Sequence, residues 1–61
     1  MTVLDIRNFP KFADYCLSKY TPYVTWEICI KYEGFDVIRV RDYHYEFQDV
    51  DATWFILKWS S

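Results

Sequence analysis

The chain has 61 residues, seven basic and nine acidic side chains, a net charge of −2, and 52% hydrophobic residues. With one Gly and two Pro, it is too apolar and too poor in chain breakers for a disordered tail. It is too short for a dinucleotide-binding unit or an eightfold barrel, and it holds no run near 18 apolar residues that would span a membrane.

One small domain over residues 1–61 is therefore expected. Such a domain buries only about 60% of the surface its unfolded chain exposes, so something must supplement the core. Fourteen aromatic residues (six Tyr, five Phe, three Trp) are one source, because each buries about 150–250 Å² with few rotors to freeze. Self-association is another.

Residues 2–7 open the chain. Alternation of Leu4 and Ile6 with Val3 and Asp5 favours a short strand, while Thr2 with Asp5 three residues later resembles a helix-capping signature. Residues 9–20 give the clearest helix. Phe9, Phe12, Ala13, Cys16, Leu17 and Tyr20 form one apolar stripe at the helical period. Asn8 is placed to cap it, Pro10 suits its first turn, and Pro22 ends it by disfavouring helical geometry at Thr21.

Residues 23–32 alternate, with Val24, Trp26, Ile28, Ile30 and Tyr32 on one side and Tyr23, Thr25, Glu27, Cys29 and Lys31 on the other. That pattern predicts a strand. Gly34 then suits the turn of an antiparallel return. Over 35–47, Ile38 and Val40 occupy even positions, and Tyr43, Tyr45 and Phe47 odd ones. The parity change favours one strand bent by a bulge near Arg41–Asp42. Two strands with a tight turn are the alternative, although Arg–Asp suits a primed turn poorly. Residues 48–52 read as a connection, with Asp49 and Asp51 as turn formers. Residues 53–59 read as a last strand, apolar on both faces except for Lys58.

The expected fold is α+β: an N-terminal helix packed on a small antiparallel sheet of three or four strands, in α-β-β-β order. The expected core is Phe12, Cys16, Leu17, Trp26, Ile28, Ile30, Val40, Phe47, Phe55 and Leu57. One helix covers one sheet face at best. The other face would carry Tyr23, Cys29, Phe35, Val37, Trp54 and Ile56, a leftover apolar surface.

No motif points to catalysis. His44 is the sole histidine, and no glycine-rich phosphate cradle is present. Cys16, Cys29 and His44 lack the paired spacing of a zinc site, so no metal or cofactor is expected. The two cysteines follow no apolar leader segment, and both read as reduced, packed thiols of a cytoplasmic protein.

The aromatic surplus instead suggests a non-enzymatic protein-interaction module, an inhibitor or adaptor that binds a larger protein, with a homodimer also compatible. The partner-binding candidates are Tyr23, Tyr32, Phe35, Arg39, Arg41, Tyr43, Tyr45 and Trp54. The acidic rim of Asp42, Glu46, Asp49 and Asp51 would orient the partner. Single-stranded nucleic acid, stacked on Tyr and Trp beside the arginines, is the alternative partner. A slightly acidic chain disfavours it.

Overall fold

The computed structural model describes residues 1–20 and 24–60. Strand β1 (Thr2–Asp5) comes first and runs into a 3₁₀ turn, Ile6–Asn8. Helix α1 (Pro10–Lys19), helix α2 (Trp26–Tyr32), strands β2 (Val37–Arg41) and β3 (His44–Phe47), and helix α3 (Asp49–Trp59) follow. The strands form one antiparallel sheet in the order β1-β3-β2. The protein is thus mixed α+β with an antiparallel sheet. Its first element is a strand, however, and in place of two of the expected strands, over 23–32 and 53–59, stand helix α2 from Trp26 onward and the body of α3.

The first third follows the sequence reading closely. Leu4 pairs with Tyr45 and Thr2 with Phe47, which places Leu4 on the inner face. Pro10 opens α1, where a missing N–H costs little. Asn8 does not cap the helix. It lies in the 3₁₀ turn, and Phe9 holds the cap position without a side-chain bond. The predicted helix-ending role of Pro22 falls outside the described residues.

Helix α2 defeats the alternation argument through its ends and its inward pair. Thr25 Oγ1 accepts a hydrogen bond from the Ile28 N–H at 3.2 Å, which supplies the N-cap. Glu27 and Lys31 pair at 2.9 Å across one turn. Cys29 and Ile30 are both buried, and two consecutive inward residues suit a helix rather than a pleated strand. Gly34 ends this helix instead of turning a hairpin. At φ 98° it lets its own N–H reach the Lys31 carbonyl (3.0 Å) and the Phe35 N–H reach the Ile30 carbonyl (3.3 Å). That double closure is the Schellman C-cap.

Residues 35–47 form two strands rather than one bent strand. The turn lies at Asp42–Tyr43, and the register slips between Arg39 and Arg41. The parity break is therefore real, and a turn shares it with a bulge. Tyr43 adopts φ 64°, a costly geometry for a ring-bearing residue. Local contacts hold it there. The Ile6 N–H donates to the Tyr43 carbonyl at 2.8 Å, and the Arg7 guanidinium lies 4.9 Å from the ring centre.

Helix α3 starts within the expected connection. Asp49 and Asp51 sit in its first turn and Lys58 in its last, each placed favourably against the helix dipole. Asp49 also ties the chain start to this helix, contacting the Met1 ammonium at 3.2 Å and the Thr2 hydroxyl at 2.9 Å.

All three helices contribute to one core against the inner sheet face. Phe55 of α3 is its centre, with ring centroids 4.9–5.4 Å from Phe9, Phe12, Phe35 and Phe47. Phe12, Cys16, Ile30, Phe47 and Phe55 are buried as expected, whereas Leu17, Ile28, Val40 and Leu57 are exposed. Ile6, Phe9, Cys29, Val37, Tyr45 and Ala52 are buried as well; in α2 and α3 helical rather than strand geometry turns Cys29 and Ala52 inward, and in β2 the pairing with β3 turns Val37 rather than Val40 inward. Most described rings lie at least partly inside. The open outer sheet face carries the aliphatic residues Val3, Ile38 and Val40 around Glu46, and of the residues expected on that face none of those described lies there: Cys29, Trp54 and Ile56 are on helices, Phe35 precedes β2 and Val37 points inward.

A polar lock joins the helices at one end. The Glu33 side chain, only 8% exposed, accepts hydrogen bonds from the Tyr20 hydroxyl (2.5 Å) and the Tyr15 hydroxyl (3.1 Å). Lys19 and Lys58 approach its carboxylate at 3.5 and 4.0 Å. Burial pushes this carboxyl upward. The tyrosine hydroxyls and Lys19 outweigh burial and hold it below the ordinary value.

Candidate functional site

Two surfaces gather the sequence-predicted residues. The first is a cleft of about 600 Å³ between the start of α2 and the β2–β3 turn. It brings Arg39, Tyr43 and Tyr45 beside Trp26 and Glu27. Its charges already have partners. Arg39 pairs with Asp42, and Glu27 with Lys31. Tyr45 is only 3% exposed, so its ring belongs to the core and offers no contact area. Burial pushes its hydroxyl pKa up. Such a cleft has little unsatisfied chemistry with which to grip a ligand.

The second surface is the outer face of α3. Val50, Trp54 and Leu57 fall at i, i+4 and i+7, and they are 64%, 62% and 67% exposed. That spacing makes one continuous stripe. Beside it, Phe35, Trp54, Leu57 and Lys58 line a hollow of about 420 Å³. Two predicted residues, Phe35 and Trp54, therefore meet here. Phe35 is half-buried, its ring packed edge-on against Phe47 and Phe55 of the core.

The remaining candidates are scattered. Tyr32 is exposed at the end of α2, its ring 5.4 Å from Tyr20. Arg41 is exposed opposite His44. Tyr23 lies outside the described residues. The acidic rim is dispersed as well: Asp42 pairs with Arg39 and Asp49 with the N-terminus, while Glu46 sits mid-sheet. Val50, read from the sequence as part of a connection, and Leu57, read as core, are not among the sequence-predicted site residues. The signal that marks them is their i, i+4, i+7 spacing with Trp54, legible once Asp49–Trp59 is taken as a helix.

Other reactive groups are packed or engaged. Cys16 and Cys29 are free thiols in the core. Burial, and then the hydrogen bond with Cys29, pushes the Cys16 thiol far up, the opposite of what an activated nucleophile needs. His44 contacts the Asp42 carbonyl at 2.7 Å and lies 3.6 Å from Asp5. Arg7 clamps the same Asp5 at 2.7 Å, and this pairing holds its carboxyl down at about 2. Among the described residues, no group of three or more His, Cys, Asp or Glu side chains is placed to hold a metal ion, and no helix is long and apolar enough to cross a membrane.

Comparison with known protein families, with curated proteins and with solved structures finds no match to this chain.

Proposed function

We propose that this is a non-enzymatic protein-interaction module, an inhibitor or adaptor that docks on a larger protein through the outer face of α3. The observation that carries the reading is the stripe of Val50, Trp54 and Leu57, each about two-thirds exposed beside an apolar hollow. In a domain short of core material, three large apolar residues left in water have a cost that a partner removes. Trp is the residue type most enriched among side chains that dominate binding energy. The complementary surface is an apolar groove wide enough for an indole. Two unpaired core thiols suit a reducing compartment such as the cytoplasm.

Nucleic acid has less support. Arg39 and Arg7 are paired with Asp42 and Asp5, and Tyr45 is buried, which leaves few free cations beside stacking rings.

The test is affinity capture under nuclease treatment with wild-type and Trp54→Glu protein. A protein captured by the wild type and lost with the variant is expected. Identical captured sets for both, with the variant folded by circular dichroism, overturn the α3 assignment.

A further inference from the structure

We infer that the occupant of the α3 face in the free protein is a second copy of the same chain, with the two α3 helices packed antiparallel about a twofold axis beside Trp54. This inference deepens the α3 reading and rests on it.

The α3 patch is complementary to itself. A twofold interface uses one patch against itself, so each residue must find its complement within the same patch. Asp51 and Lys58 are seven residues apart, hence on the same flank of the helix, beside the stripe. Their midpoint falls between positions 54 and 55. When two such helices run antiparallel about that midpoint, Asp51 of each faces Lys58 of the other, and the stripe residues meet across the axis. Val50 packs toward Leu57 of the second copy, and each Trp54 ring enters the hollow lined by Phe35, Leu57 and Lys58. Antiparallel packing also places the N-terminus of each helix beside the C-terminus of the other, so that the two dipoles oppose and attract.

The available groups suit these roles. The Lys58 side chain is 58% exposed, and its contact with Glu33 is a loose 4.0 Å. Asp51 has no hydrogen-bond or ion-pair partner among the described residues. An 11-residue helix is about 16 Å long, so the contact falls well below the ~800 Å² per partner of a standard stable interface. The dimer should therefore be weak, with a dissociation constant on the order of 10–100 μM.

The experiment is sedimentation equilibrium from about 1 μM to about 1 mM, a range that brackets that constant, with folding checked by circular dichroism. Wild type should pass from monomer to dimer, and Trp54→Glu should stay monomeric. Asp51→Lys alone and Lys58→Asp alone should each weaken the dimer roughly tenfold or more, because two attractive pairs become repulsive. An equimolar mixture of those two variants should regain association, since each then supplies the charge that the other lacks. Wild type that remains monomeric to about 1 mM overturns the inference. So does a dimer that survives Trp54→Glu, or a mixture of charge variants no better than either alone. Monomeric wild type with Trp54-dependent capture of another protein would overturn self-pairing while leaving the α3 docking reading standing. Loss of both would remove that reading too.

Discussion

Helix α3 has two apolar faces with opposite fates. Ala52, Phe55 and Trp59 point inward, and Phe55 is the hub of the core. Val50, Trp54 and Leu57 point outward and remain mostly in water. The inner face is explained by folding, because it closes the core over the sheet. The outer face is not, since none of the described residues covers it. The contrast separates residues retained for stability from residues whose apolar character needs another cause, and substitutions on the two faces should sort accordingly.

The largest effect belongs to the inner face. Phe55→Ala removes a fully buried ring that touches four others. The expected loss is about 3–5 kcal/mol. At typical values per residue, 61 residues carry in total only about 3–9 kcal/mol. Much of the variant should therefore be unfolded at 25 °C, as read from the near-ultraviolet dichroism and the urea midpoint. A cooperative variant within 1 kcal/mol of wild type would mean that Phe55 is not the hub described above.

The next effect tests the polar lock that helps to hold α3 in place. Glu33→Gln keeps the shape but replaces charge-assisted hydrogen bonds to Tyr15 and Tyr20 and the attraction of Lys19. A loss of about 1–3 kcal/mol is expected. Because the folded-state pKa of Glu33 lies below its ordinary value, the carboxylate contribution is complete above the unfolded value near 4.3 and disappears as pH falls through the folded value. Asp5, held at about 2 by Arg7, adds acid sensitivity of the same sign, reaching lower in pH. Urea midpoints from pH 7 to pH 2.5 should thus fall for wild type and fall less steeply for Glu33→Gln. Parallel profiles would show that the lock does not titrate with folding.

How much of this contrast could be read in advance depends on whether an element has one apolar face or two. Helix α1 was legible because Lys11, Asp14, Ser18 and Lys19 leave a single stripe, and Pro10 marks its start. Helix α3 was not, because a segment apolar on both sides fits a buried strand as well as a helix. The placement of Asp49 and Asp51 as turn formers then hid its first turn. In α2 the aromatic and β-branched residues happen to alternate, and Gly34 is equally at home in a hairpin turn and a helix C-cap. The decisive cues, Thr25 as N-cap and Glu27 paired with Lys31, are short and local. For the site, Phe35 and Trp54 were legible as aromatics in excess of a small core's needs. Leu57 was assigned to the core, and Tyr45 to the surface, because each depends on which face of its element points inward.

Smaller effects should follow at the ends of α2, where the reading failed. Thr25→Ala removes the side-chain cap on the Ile28 N–H and should cost about 1 kcal/mol. Gly34→Ala meets no steric neighbour within 4 Å, so its cost isolates the positive φ itself, again about 1 kcal/mol. Urea denaturation of both variants would measure these terms directly. A neutral Gly34→Ala would argue that the C-cap is not held at φ 98°.

The smallest effect is the most informative for function. Leu57→Gln and Val50→Thr each replace a side chain about two-thirds exposed with a polar one of comparable size. At a concentration where the monomer predominates, neither should shift stability by more than about 0.5 kcal/mol. Both should nevertheless weaken any association through α3. If either variant instead loses 2 kcal/mol or more as a dilute monomer, its side chain supports the fold, and the outer face needs no partner to explain its composition. Near-neutral stability with lost association leaves binding as the physical reason for an apolar stripe that folding alone does not use.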